Sequence, residues 1–510
     1  MADKPATAAA SSASTALNRA KGYQLVLFPF NNGATNVYYV LLMNYIAYYA
    51  NGVLGLVLAF ATTMVTVTRA LDAFIDPVVG MLIDRTETKI GKFRPFIILG
   101  NVVMAVSSIL LFYALRAFAD AGVIKYVLYT VLYLALMVGY SIQTSCTRSG
   151  QTCLTNDPKQ RPTFTLFNTV ASLAGMGVTM AVASIVGGQV GFGTEAFFNF
   201  LIPLVILLSA GLTALAVIGI AGKDRKEFWG LGGGESQPNL KVRDYLAILK
   251  SNKELQRLAV AASGTKFAFA LATQTAVGAL LYSCMMGDYN QFYLPMYIIG
   301  YIGSAPFFLG GLKMSQKHGQ KKTLVTFTCV ALACYVGVTA LLAMWNPNDP
   351  AFTMALWSTE GGFHLTLNAY TIAFIILYGI GYGAYYSTAD MAIPMVADVS
   401  FIDKLVSSLA ATVLGIAVTF VGLTTLPDTT TPYMPGMNVL TIVLFCIIPM
   451  IAWVFTLIAM RKYSLTGERM KEIQAVNACR KDAIANGMTT EQALATYKTM
   501  DQVPEQYRNL

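Results

Sequence analysis

Residues 69–96 read RALDAFIDPVVGMLIDRTETKIGKFRPF. The first part is apolar enough to lie in a membrane, yet it carries Arg69, Asp72 and Asp76. Helical residues three and four apart share a face, so these three form one charged stripe. A charge at the bilayer centre costs roughly 2.5–3.5 kcal/mol on insertion scales, and such residues serve ions, protons or substrates by default. An architectural Arg–Asp pair is the plainer reading, but one arginine cannot neutralise two aspartates. The stripe therefore reads as an ion or proton site facing a bundle interior. The second part is a short basic loop edged by Gly80 and Gly91.

Composition supports the membrane reading. The chain has 510 residues, of which 55% are hydrophobic and only 12% charged, against about 25% charged in a soluble domain. The net charge of +9 does not point to nucleic acid, because the basic residues are distributed by topology. Seven cysteines are scattered without a CxxC pair, and there are only two histidines, His318 and His364. That excludes a disulfide framework and a thiolate or histidine metal site. With no HExxH, P-loop or GxSxG motif, nothing suggests an enzyme or a resident cofactor. The N-terminus lacks the apolar core of a cleaved signal, so the first span is expected to direct insertion.

Apolar runs define twelve spans: 23–50, 52–83, 95–118, 122–154, 162–190, 196–221, 258–287, 289–312, 323–345, 367–397, 405–426 and 437–460. About 20 helical residues cross a hydrocarbon core, so several spans are long enough to tilt or protrude. All but five of the 35 lysines and arginines fall in the N-tail, the loops after even-numbered spans, or the C-tail. Arg116 and Lys125 lie at the span ends bordering an opposite loop, and Arg69, Arg148 and Lys266 lie deeper within spans. By the positive-inside rule both termini are cytoplasmic. The expected organisation is an N-tail (1–21), a six-helix bundle (22–222), a connector (223–257), a second six-helix bundle (258–460) and a C-tail (461–510). Within the connector, Leu240, Tyr245, Leu246, Leu249 and Leu255 make an apolar stripe among basic residues, as in a helix lying on the membrane surface.

The halves repeat weakly. A glycine-rich basic loop after span 2, with Gly80, Asp84, Arg85, Gly91, Lys92 and Arg94, has a counterpart after span 8 at residues 311–322. Such repeats mark transporters whose substrate site lies near the midplane between two bundles. The string DxxxDPxxGxxxDRTxTxxGKFRP closely resembles the signature of the glycoside–pentoside–hexuronide:cation symporters, whose best-known member is the melibiose permease. The resemblance covers residues 22–460. It implies an all-α membrane protein with twelve transmembrane helices in two six-helix bundles, the major facilitator fold. It also implies cation-coupled symport of a sugar, glycoside or hexuronide in a bacterial inner membrane, by a likeness that leaves oligomeric state at monomer. The family's cation site maps to Asp72, Asp76 and, through a helix-IV hydroxyl, Ser141. Gating contacts map to the basic loop and Arg69.

Two departures qualify the likeness. Sodium-using relatives carry an amide before the second aspartate, where this chain has Ile75. Sodium wants several oxygen ligands, whereas a proton asks only for a carboxylate among apolar neighbours. The coupling ion is H⁺ or Na⁺, with the proton favoured. The family's sugar carboxylates fall on Thr35 or Asn36 and on Thr144, its tryptophan on Arg148, and its span-5 arginine near Asn168 or Thr169, so the α-galactoside pattern is absent.

The polar residues of the spans give the candidate substrate set directly. Span 4 contains YSIQTSCTRSGQT (140–152), with Tyr140, Thr144, Arg148 and Gln151 on one face. Hydroxyls that bond back to their own helix would not explain Gln143, Arg148 and Gln151. Span 1 offers Asn32, Thr35, Asn36 and Tyr39. Span 7 offers Lys266, which could instead snorkel. Span 10 offers Tyr378 and Tyr382, which could instead be packing. The four tryptophans avoid the expected midplane. A small organic anion or an amphipathic non-sugar compound is the alternative cargo, since Arg148 suits a carboxylate. A non-transporting membrane sensor is the remaining class.

Overall fold

A computed structural model describes residues 18–155, 160–229, 250, 252–346, 348–349, 352, 368–391, 397–464, 467–485 and 488–505. Among the described residues all regular structure is helical, apart from one isolated bridge between Thr88 and Gly91. Every span has a helical counterpart. Among the described residues eight are continuous apolar helices long enough to cross a bilayer, including Leu58–Arg85, Arg94–Phe112, Val123–Leu154, Arg161–Val190 and Glu195–Ile220. Span 7 is a broken pair, Lys253–Ala272 and Thr275–Met285, bent by 52°. Spans 10 and 11 are Ala369–Met391 and Ala397–Phe420.

Span 1 departs most from a plain rod. After Phe30–Val40 it passes through two π-helical turns, Leu41–Tyr45 and Tyr49–Val53. Gly55, at φ +61°, ends it, so span 2 starts at Leu58, later than the apolar run suggests. Side chains set other starts. Asn252 Oδ1 accepts from the amides of Glu254 and Leu255 at 3.0 and 3.1 Å. Span 7 thus begins at Lys253, five residues before the hydrophobic signal. Asp288 Oδ1 caps span 8 in the same way at 2.9 and 3.1 Å. These side-chain oxygens satisfy amides that a helix start leaves unpaired. The proposed surface helix of the connector falls largely on residues outside the described set.

The chain forms two compact units. The first comprises residues 1–55, 71–183 and 194–239, and the second comprises 56–70, 184–193 and 240–510. At one end of the first unit Phe28, Phe93, Phe96, Ile97, Cys146, Phe164 and Ile220 make an apolar core. At the other, Tyr49 lies 4.5 Å from Phe112 and 5.1 Å from Phe198 between ring centroids.

In the second unit Tyr335 and Tyr385 pack on Trp453 at 5.0 and 5.2 Å, and Phe374, Tyr378, Tyr382 and Tyr385 follow one another at 5.2–5.9 Å. Residues 56–70 belong to this unit through span 11. Thr66 Oγ1 donates to the Ser408 carbonyl at 2.7 Å and lies 2.8 Å from Thr412 Oγ1. The segment 184–193 joins it through Asn290, whose amide reaches the Gly188 carbonyl at 3.3 Å, and through Phe192, 5.4 Å from Tyr289.

Candidate functional site

Span 2 folds as one helix through Arg69, Asp72 and Asp76, as the spacing requires. Asp72 is 0% exposed, and Asp76, one turn on, is half-buried. The hydroxyl of Ser141 on span 4 donates to Asp72 Oδ1, and Ser141 is itself fully buried. Arg69 is buried as well, and all three charged residues are engaged in polar interactions. Ile75 leans on the apolar core around Phe93 and Phe96, so it contributes packing rather than a ligand oxygen. A buried carboxylate is stable only when paired, hydrogen-bonded or neutralised. Two carboxylates and a hydroxyl can take a proton or hold a hard monovalent cation. Among the described residues no three of His, Cys, Asp and Glu gather as a multi-ligand metal centre.

The first unit also has a buried amide network that the sequence reading missed. Asn31 donates to the Gln143 carbonyl at 3.0 Å and to Thr147 Oγ1 at 2.7 Å. Gln143 returns a bond to Asn31 Oδ1 at 2.9 Å and reaches Thr213 Oγ1 at 2.8 Å. Asn101 donates to Ser209 Oγ at 2.8 Å. Spans 1, 3, 4 and 6 are thus tied by amides and hydroxyls whose partners are one another. Gln143 was visible as an unexplained polar residue, but its partners are single polar residues within apolar runs.

The predicted substrate residues of span 1 form a second polar group. Asn32 Nδ2 donates to the Asn168 carbonyl of span 5 at 3.3 Å, and Asn36 Nδ2 donates back to Asn32 at 2.8 Å. Thr35 is buried, with its hydroxyl on the Asn32 carbonyl at 2.9 Å, and Tyr39 is half-buried. On span 4 Tyr140 is buried, while Thr144 and Gln151 are half-buried. Arg148 lies on the same helix, its side chain outside the described set. Thr144 Oγ1 and Asn168 Oδ1 are shielded from solvent and have no hydrogen-bond partner. Buried polar atoms are nearly always bonded, so these two orphans are open for a polar ligand.

In the second unit Tyr378 and Tyr382 are 4% and 6% exposed, inside the aromatic series that ends on Trp453. Lys266 is half-buried on span 7 and has a polar partner.

The basic loop is organised by a residue that the sequence reading passed over. Asp224, 1% exposed, accepts the backbone N–H groups of Lys92 (2.8 Å), Phe93 (3.0 Å) and Arg94 (2.9 Å). Trp229 Nε1 donates to it at 3.1 Å, and Arg94 Nε stands 3.5 Å away. The carboxylate therefore caps span 3 at the positive end of its dipole. Gly91 makes room. Its φ is +123°, and a Cβ there would meet Asp224 Oδ2 at 2.1 Å. Arg85 is exposed, Lys92 half-buried, and Gly80 faces open space, while the Asp84 side chain is outside the described set. Nearby, Lys223 donates to Asn18 and lies 4.2 Å from the Phe228 ring, and burial holds its pKa below the ordinary lysine value.

Against known proteins, residues 29–467 match the family described as MFS/sugar transport protein. The chain is 33% identical over 213 residues to YagG of Escherichia coli (strain K12), provisionally named a glycoside/cation symporter, covering 41% of this chain and 43% of that one. It is 27% identical over 266 residues to a lactose permease of Leuconostoc lactis, covering 50% and 39%. The matched stretches thus span less than half the length of either relative. Among solved structures, the nucleoside transporter NupG superposes with a TM-score of 0.51 at 13% identity, over 87% of this chain and 100% of that one, which shows a shared fold. An all-helical membrane chain with this signature, this fold and a family match over most of its length belongs to the MFS/sugar transport protein family of the major facilitator superfamily.

Proposed function

We propose that the protein is a cation-coupled symporter of a sugar or glycoside, working by alternating access in a bacterial inner membrane with both termini in the cytoplasm. The observation that carries this reading is Asp72, a carboxylate fully buried in an apolar helix with the Ser141 hydroxyl on it. Such a group changes its interactions sharply when it takes up a cation. The apolar seat of Ile75 favours a proton over sodium. Relatives named for glycosides and lactose support a sugar as cargo. Asn32, Asn36, Thr144, Gln151 and Asn168 suit the hydroxyls of such a ligand. One charge moving through about 150 mV supplies ~3.5 kcal/mol, enough to sustain roughly a few-hundred-fold gradient.

Purified protein in sealed vesicles tests the proposal. Asp72→Asn and Asp76→Asn should each abolish concentrative uptake while leaving ligand binding measurable. Undiminished gradient-driven accumulation in both variants would sink the coupling assignment. An imposed pH step without sodium should drive uptake in the wild type. Strict sodium dependence would transfer the role to that ion.

A further inference from the structure

Where spans 2 and 6 end and span 3 begins in the first unit, a cavity of about 730 Å³ opens that none of the proposed cation or sugar residues lines. Lys89, Arg94, Arg225, Lys226 and Trp229 line it, with Asp224 as the one acid in its wall. Asp224 adds little repulsion, because its oxygens already receive three amides and the Trp229 indole. At the rim Glu87 pairs with Lys226, but these side chains are 52% and 73% exposed. An exposed pair of that kind is weak and exchanges readily. Lys89 and Arg225 are exposed and form no ion pair among the described residues. The wall therefore offers more positive charge than the protein itself neutralises.

The cavity also has a particular place. Ala221 and Gly222, in its wall, directly follow the end of span 6 at Ile220. Leu82 and Ile90, each 53% exposed, present apolar surface on the same segment of chain. Trp229 brings an amphipathic ring of the kind that settles at the membrane–water boundary. A soluble anion would be held by converging donors, whereas here cations border a site beside exposed apolar surface. Basic pockets at helix ends on the cytoplasmic side are suited to lipid headgroups.

We propose that this cavity seats the phosphate headgroup of an anionic phospholipid, held by Lys89, Arg94, Arg225 and Lys226. The proposal rests on the membrane orientation given above and not on sugar coupling.

The test uses the full chain in a neutral detergent and follows its melting temperature. Dihexanoyl phosphatidylglycerol, dihexanoyl phosphatidylcholine and inorganic phosphate are titrated separately. The glycerol lipid should raise the melting temperature saturably, and the other two should not at equal concentration. Lys89→Gln/Arg225→Gln should raise the half-saturating concentration by about tenfold or more, since each basic residue at a membrane surface is worth on the order of 1 kcal/mol. Arg461→Gln/Lys498→Gln, which removes the same charge from exposed positions elsewhere, should leave it unchanged. Equal weakening in both double variants, or no response from folded wild-type protein, overturns the proposal. An equal response to inorganic phosphate overturns the lipid as the source. Uptake is not measured, so failure here is separate from failure of the symport reading.

Discussion

The Ser141 hydroxyl donates to the Asp72 carboxylate, and a bond to a charged group is worth about 1.5–3 kcal/mol. Ser141→Ala should therefore change the cation concentration for half-maximal uptake by about tenfold or more, with Ser141→Thr restoring it. Uptake titrated against proton and sodium concentration reads this directly. Asp224 makes a different prediction. Asp224→Ala strips an acceptor from three backbone amides and an indole, so the detergent melt should fall by several degrees, a loss on the order of 2–4 kcal/mol. Gly91→Ala should match it, since its new methyl would occupy the carboxylate's place. The first aspartate was legible in the sequence because a charge on an apolar helix has few innocent explanations. The second was not. Its partners are backbone amides exposed only once Gly91 turns the chain through φ +123°, and no side-chain pattern announces that.

Hydropathy located the apolar helices well because each must bury about 20 residues or present them to lipid, whatever its backbone detail. It did not locate their irregularities. The bend after Ala272 and the π-helical turns of spans 1, 7 and 12 contain no proline, and a hydrophobicity profile carries no information on hydrogen-bond register. Conversely Pro203, Pro295 and Pro306 sit inside continuous helices of spans 6 and 8. Contacts between elements were equally hidden. A Cβ on Gly383 of span 10 would meet the Gly303 carbonyl of span 8 at 2.3 Å. Gly383→Val should push these helices apart, which would appear as reduced yield of monodisperse protein and a lower melting temperature. Gly310→Val on the same span 8, where nothing lies within 4 Å, should do neither.

At the scale of the molecule, alternating access requires that seams open and close. The contact of span 2 with span 11 is a seam within the second unit, with Thr66 and Thr412 hydroxyls 2.8 Å apart. Thr66→Cys/Thr412→Cys should cross-link under mild oxidation and arrest uptake, and a thiol reductant should restore it. Uptake that persists in the fully cross-linked protein would show that this seam never parts. The family was readable from one string of residues, because that string combines membrane cost with a specific loop. The cargo was not. The residues proposed for it are ordinary asparagines and threonines, whose meaning depends on which atoms the fold leaves unbonded.

The helix Leu58–Arg85 is a single rod of 28 residues, yet its first half packs with one compact unit and its second half with the other. The change falls at Ala70–Leu71, just before Asp72. Pro77 follows, and a proline has no N–H to offer the carbonyl four residues back, at Ala73. The rod is thus missing a rung between its two acids. A cation taken up at Asp72, as proposed, would therefore act on a stretch of helix that lacks one backbone hydrogen bond.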